Sequence, residues 1–256
     1  MKTWFGTMSI SEDKMEEMIK AAIDAKYFGI DSAWIYKNEE VVGRALTNLS
    51  KQGYDIKVQT KIWPEDYENV AKAYDQMLKR LNLKQVYSLL LHRPTVDFNK
   101  TILAWKELIK LKESGKALHI GVSNFDKDMI KLLVRETGVK PEFNQVEMSV
   151  TNFRHDRLFF NNQEGIETQA WSPMGKDVPK NLNNIIVKRL ALKYKVTPAQ
   201  ILLSFLTSQG IVPCSSAMTK QHIKQNIKYV KLDSKDIDKL MKLNVYDNRF
   251  EETYPE

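Results

Sequence analysis

Short apolar runs alternate with longer amphipathic segments from one end of this sequence to the other, about eight times. Eight strand candidates can be read: Thr3–Thr7, Gly29–Ala33, Asp55–Trp63, Val86–His92, Leu118–Asn124, Glu142–Met148, Ile166–Trp171 and Ile211–Ser215. The alternation is that of repeated β-α units, which build a parallel sheet with helices packed outside it. Segments 16–28, 104–116 and 185–195 place apolar residues at three- and four-residue steps, as a helix covering a sheet must. Ser9 with Glu12 reads as a capping box, Gly115 in "ESGK" as a helix stop, and "SKDIDKLMKLN" as a closing helix. No Pro/Gly/Ser linker and no shift of composition marks a second domain. Eight units in 256 residues, 43% of them apolar, fit one (β/α)8 TIM barrel spanning residues 1–256.

Composition narrows the function classes. No apolar run approaches the roughly 18 residues that cross a membrane. The amino terminus reaches Glu12 and Asp13 before a signal-like stretch develops, so a cytoplasmic protein without membrane contact is expected. The sole cysteine, Cys214, excludes an intrachain disulfide and a multi-cysteine metal site, and no H-E-x-x-H spacing occurs, so no metal is expected. The net charge of +7 is spread along helix-like segments without a dense basic block, which favours a solvated surface over a nucleic-acid interface.

Barrel enzymes carry their reactive groups at the carboxyl ends of the strands. The second strand ends on Asp31, with Tyr36 in the loop that follows; the third has Lys61 near its end; the fourth ends on His92. A carboxylate beside a phenol raises the phenol's pKa, so the Asp31–Tyr36 pair makes chemical sense only with a cation between them. Lys61 is that cation. Its ammonium is expected to lower the Tyr36 pKa while Asp31 keeps it charged and in place, which describes a proton-donating site. Taken singly these residues have ordinary readings: a strand-end cap, a snorkelling lysine, a hydrogen-bonded core histidine. Their joint placement on three consecutive strand ends favours a site. His119 and His155 have no such partners and read as structural.

These residues resemble the aldo-keto reductase family. "GIDSAWIYKNEEVVG" is similar to its signature D-T-A-x-x-Y-x-N-E-x-x-V-G, with Ser32 for the usual threonine; "LLLHRP" resembles its strand-four histidine motif; "GKALHIGVSNF", "EFNQVE" and "QAWSPMG" resemble its nicotinamide-side segments. Order and spacing hold through nearly the whole chain, with the nearest likeness to bacterial reductases of glyoxals and diketo-sugars. The resemblance implies NAD(P)H-dependent reduction of a small carbonyl compound without metal or flavin, by a protein expected to be a monomer. Tyr36 would be the proton donor, Lys61 and Asp31 would tune it, and His92 would orient the carbonyl. It further implies that Ser123, Asn124 and Gln145 bind the nicotinamide carboxamide, that Trp171 stacks on its ring, and that Ser172 meets the phosphates. Met8, Trp34 and Arg93 would line the substrate pocket.

The departures from that family are as informative. The chain begins at its first strand, without the leading hairpin usual in relatives, and the tail after Asn244 is short, so a reduced substrate loop is expected. Arg93 stands where a tryptophan usually follows the catalytic histidine, and Met8 where an aromatic is usual. In relatives that prefer NADPH, the segment after the last strand resembles I-P-K-S and then R-I-x-E-N, whose lysine, serine and arginine hold the 2′-phosphate. Here those three positions are Ser216, Ala217 and His222, with Gln225 and Asn226 left as adenine contacts and Lys220 near enough to restore one charge. NADP(H) is implied by resemblance, with weak discrimination against NAD(H). Two other function classes compete: a catalytically weak nucleotide-binding redox sensor or partner subunit, and a lyase in which Lys61 forms a Schiff base. The latter needs a neutral lysine, which Asp31 opposes.

Overall fold

In the computed structural model, which describes residues 2–245, each expected apolar run holds one strand, most of them trimmed by a residue or more at the ends. They are β1 (Trp4–Gly6), β2 (Gly29–Asp31), β3 (Val58–Ile62), β4 (Val86–Leu91), β5 (Ala117–Ser123), β6 (Phe143–Glu147), β7 (Glu167–Trp171) and β8 (Val212–Ser215). All pair in parallel and in chain order, and β8 returns to β1 with Trp4 opposite Cys214, closing an eight-stranded barrel.

Helices follow the strands: α1 (Met15–Asp24), α2 (Glu39–Lys51), α3 (Val70–Leu81), α4 (Phe98–Glu113), α5 (Lys127–Thr137) and α6 (His155–Glu164), one after each of the first six. Three helices, α7 (Val178–Asn183), α8 (Ile185–Tyr194) and α9 (Pro198–Ser208), fill the β7–β8 crossover, and α10 (Lys220–Asn226) and α11 (Ser234–Met241) follow β8. Val70, Ala73, Tyr74, Met77 and Leu81 make one buried stripe on α3, the spacing that seats a helix on a sheet. The outward strand residues Phe5, Ile30, Val58, Leu89 and Ile120 complete that core. A second apolar cluster joins Val146 and Ala170 to α8 and α9.

The helix starts were only partly legible. Asp126 caps α5 by accepting from the amides of Asp128 and Met129, and Thr197 and Gln200 form a reciprocal capping box on α9. The capping box expected of Ser9 and Glu12 does not form. Glu12 instead opens a short 3-10 turn whose N-cap position is Ser11, and its carboxylate is drawn away by Arg44 of α2. Gly115 does follow the end of α4, at φ +73°. The tail from residue 246, where a reduced substrate loop is expected, lies outside the described residues.

The inside of the barrel is divided by height. At the amino end Trp4 packs edge-on to Phe28, ring centres 5.0 Å apart, with Tyr87 at 5.9 Å. Above them the filling is polar, from Gln59, Gln145 and Gln169 up to Asp31 and Lys61 at the carboxyl mouth, all at least nine-tenths buried.

Candidate active site

Parallel pairing of β2 with β3 sets Asp31 opposite Gln59 and so brings Asp31 beside Lys61, two residues further along β3. The Lys61 ammonium donates to both Asp31 carboxylate oxygens, at 2.9 and 2.8 Å, and to the Ser32 carbonyl at 2.9 Å. Burial opposes its charge, but the Asp31 carboxylate, the neighbouring Tyr36 and the Asp31 hydrogen bonds outweigh that and push the lysine above its ordinary pKa. A lysine held this firmly as an ammonium is unsuited to Schiff-base chemistry.

Tyr36 ends the 3-10 turn that follows β2, and the Lys61 nitrogen lies 5.4 Å from the centre of its ring. Its phenol does not have the lowered pKa expected from the sequence. Burial raises it, Lys61 pulls it down, Asp31 and Cys214 add to the rise, and the net displacement is upward. Spacing along the chain predicted the cation and missed the cost of desolvation. The His92 ring stands perpendicular to Tyr36 at 6.4 Å. Burial, then the Lys61 and Arg93 charges, hold its imidazole well below the ordinary histidine pKa. The site therefore presents a protonated phenol and a neutral imidazole beside a fixed ammonium–carboxylate pair.

A cavity of about 750 Å3 opens over these groups, walled by Asp31, Tyr36, His92, Asn124, Gln145 and Trp171, with Ser172, Ser216, Met8 and Arg93 also on its lining. Lys61 and Ser123 are buried beneath it. Trp34 does not join this wall. It lines a separate surface cleft, where the Lys37 ammonium sits 3.0 Å above its ring, and Ile35 takes the place facing the main cavity. The turn Trp34–Tyr36 ends at Lys37, whose backbone is left-handed at φ 55°.

The strand ends on the far side are tied together. Ser123 Oγ donates to the Gln145 carbonyl at 2.8 Å, Asn124 Nδ2 to the His92 carbonyl at 3.0 Å, and Trp171 Nε1 to Asn124 Oδ1 at 2.9 Å. Asn124 and Ser172 hold left-handed backbone, φ 65° and 47°, a conformation that non-glycine residues keep mainly where the surroundings enforce it, often at functional sites. Ser215, absent from the sequence-derived candidates, also borders this cavity, while its buried hydroxyl is turned to the Tyr27 phenol in the shell.

A second cavity of about 320 Å3 adjoins the first through Ser216 and is lined by Ala217, His222, Gln225 and Asn226. Among the described residues no lysine or arginine lines it, and Lys220 is engaged with Glu17 of α1 at 2.7 Å. The charge that Lys220 was expected to restore is thus directed elsewhere. Among the described residues no cluster of three or more His, Cys, Asp or Glu could hold a metal ion, and no helix is long and apolar enough to cross a membrane.

A (β/α)8 barrel with a phenol, an ammonium, a carboxylate and an imidazole converging at its carboxyl mouth defines a class of barrel oxidoreductase. Residues 2–245 match the Aldo/keto reductase family, and the chain belongs to that family. It is 31% identical over 241 residues to methylglyoxal reductase DkgA of Escherichia coli (strain K12), covering 93% of this chain and 88% of the relative. It is 32% identical over 248 residues to the glyoxal reductase of Bacillus subtilis (strain 168), covering 94% and 88%. The structure of a Bombyx mori aldo-keto reductase in complex with NADP superposes with a TM-score of 0.87 at 27% identity, covering 94% of this chain and 88% of that one. The protein is an NAD(P)H-dependent oxidoreductase that reduces carbonyl groups. Its own residues fit such a cofactor: the half-buried Trp171 ring offers a flat surface on the cavity wall, and the adjoining cavity extends the site past Ser216.

Proposed function

We propose that this chain reduces a small aldehyde or ketone with Tyr36 as the proton donor, and that the two cavities together hold the dinucleotide and the substrate. The observation that carries this reading is the convergence of Tyr36, Lys61, Asp31 and His92 on one cavity. When bound, the nicotinamide supplies a hydride from C4 to the carbonyl carbon. The protein supplies the rest. Tyr36, kept protonated by burial, gives its proton to the carbonyl oxygen as negative charge develops there, and His92 orients that oxygen. Lys61 stabilises the phenolate left behind, and Asp31 holds Lys61 still while balancing its charge. Asn124, Gln145, Trp171 and Ser172 hold the nicotinamide end; Ser216, His222, Gln225 and Asn226 hold the adenosine end. Every group comes from one chain, so a monomer suffices. Glyoxal and methylglyoxal, named for the relatives above, are the first substrates to try.

Tyr36→Phe is the test. It removes the proton and little surface, so kcat is expected to fall by about 10²-fold or more, the scale of general acid catalysis. Cofactor Kd, read from quenching of tryptophan fluorescence, should stay within twofold. A variant that loses cofactor binding, or keeps its activity, overturns the assignment.

A further inference from the structure

Barrel interiors are usually filled by branched aliphatic side chains, yet in this chain three primary amides fill the space beneath the site. Gln59, Gln145 and Gln169 project inward from β3, β6 and β7 and are at most 1% exposed. Asp31 Oδ1 accepts from Gln59 Nε2 at 2.7 Å and from Gln145 Nε2 at 3.0 Å, besides Lys61. A carboxylate only accepts, so both glutamines must present their NH2 groups to it, and this sets the polarity of the whole assembly. Ser88 Oγ donates to Gln59 Oε1 at 2.8 Å, and Gln59 Nε2 also donates to Gln169 Oε1 at 2.8 Å. Gln169 Nε2 donates back to Gln59 Oε1 and on to Glu167 Oε1, each at 3.2 Å, and Lys2 closes the amino end by pairing with Glu167 at 3.0 Å. A hydrogen-bonded network of this kind favours one arrangement of a polar core.

We propose that Gln59, braced by Ser88 and Gln169, is a positioning residue for the proton-donating tyrosine, acting through Asp31. The inference rests on the reading of Tyr36 as proton donor. Around Tyr36 the charged or titratable groups are Asp31 from β2, Lys61 from β3, His92 after β4 and Cys214 from β8. Asp31 is the one among them whose negative charge Gln59 shares. Each N–H given to the carboxylate disperses that charge and weakens its opposition to phenolate. Without the Gln59 amide, Asp31 presents more of its charge to the phenol. That change disfavours phenolate, so Tyr36 should ionise at higher pH.

The readout is the pH dependence of single-turnover alcohol oxidation, which requires Tyr36 as the base. Gln59→Met keeps the side-chain length and removes both amide groups. Its profile is expected to shift upward by about 0.5–1 pH unit, with cofactor Kd unchanged. Ser88→Ala and Gln169→Met, which loosen Gln59 from behind, should shift it the same way by less. Lys2→Met, at the exposed far end, should leave it in place. Should Gln59→Met fail to fold, the Ser88→Ala and Gln169→Met profiles carry the test. Folded variants whose rates fall while the profiles stay unshifted overturn the proposal and leave the glutamines a packing role. An active Tyr36→Phe enzyme would instead overturn the parent reading, so the two failures are distinguishable.

Discussion

Arg93 places a guanidinium on the lining of the catalytic cavity, where the other lining cation, Lys176, is already paired with Glu147. The guanidinium carbon lies 4.4 Å from the centre of the Trp63 ring, a cation–π contact that holds it against that ring. Among the described residues no carboxylate lies within ion-pair distance of it. A planar fork held on the lining suits a substrate carboxylate, where a charge-assisted hydrogen bond contributes about 1.5–3 kcal/mol. Arg93→Leu is therefore expected to lower kcat/KM for an aldehyde acid by about 10-fold or more relative to its neutral analogue. Equal losses on both substrates would show that Arg93 only props Trp63. The adenosine end argues the opposite case, of a charge that is missing. With no lysine or arginine among the described residues that line the second cavity and Lys220 held by Glu17, NADH and NADPH are expected to bind with similar affinity. His222→Arg should tilt the Kd ratio toward NADPH by about 10-fold, the worth of one charged hydrogen bond, and an unchanged ratio would place the 2′-phosphate elsewhere.

Whole elements were more legible in the sequence than the details of their joints. All eight strands are legible because each is a short segment carrying apolar residues between longer amphipathic helix-like segments, the pattern of a parallel barrel. Asp31, Lys61 and His92 could be read because they end such runs at one rim. The glutamine core is not legible in the sequence, because "VQTKI", "FNQVE" and "ETQAW" carry polar residues at adjacent positions, so no alternation marks the inward face. Polar residues in a strand read first as solvent-exposed, and only closure of the barrel turns the glutamines inward. Loop conformations, such as the turn that carries Trp34 outward, depend on tertiary contacts that spacing does not record. At the joint of α2 with α3, a sequence feature acquires a reason only in three dimensions. A Cβ on Gly43 would lie 2.2 Å from the Arg80 carbonyl oxygen and within 3 Å of the Leu81 backbone. Helix backbone has little room to yield, so Gly43→Ala is expected to destabilise by about 1–3 kcal/mol despite alanine's better helix propensity. Urea unfolding would report this as a lower midpoint at constant slope, and an unchanged midpoint would mean that the two helices slide apart freely.

On the scale of the whole molecule, the barrel is held to its helical shell by phenols that cross between sectors. Tyr27 of the α1–β2 loop donates to the Ile223 carbonyl in α10 at 3.3 Å, Tyr67 to the Arg93 carbonyl after β4, and Tyr74 of α3 to the Lys116 carbonyl before β5. All three are at least 95% buried. Burial raises each pKa, that of Tyr74 to about 12 and those of Tyr27 and Tyr67 further. A phenol with a raised folded pKa keeps its proton longer in the folded state than in the unfolded one. Its contribution is complete below about pH 10, where the unfolded phenol also keeps its proton, and is lost progressively above it. At pH 11 each such phenol forfeits about 1.4 kcal/mol, and the three together about 4, a large part of the 5–15 kcal/mol that holds an ordinary domain folded. Lys61, raised by Asp31, pulls in the same direction. The expected behaviour is a stability that stays level from pH 8 to about 9.5 and then falls steeply, well before surface ion pairs titrate away. Tyr74→Phe separates this account from general alkaline damage. It loses one hydrogen bond and so starts lower at pH 8, by about 1 kcal/mol, but above pH 10 its decline should be shallower, by about 1.4 kcal/mol per pH unit. Urea midpoints measured from pH 8 to 11.5 decide it: converging curves support the buried phenols as the source of the loss, and parallel curves reject them.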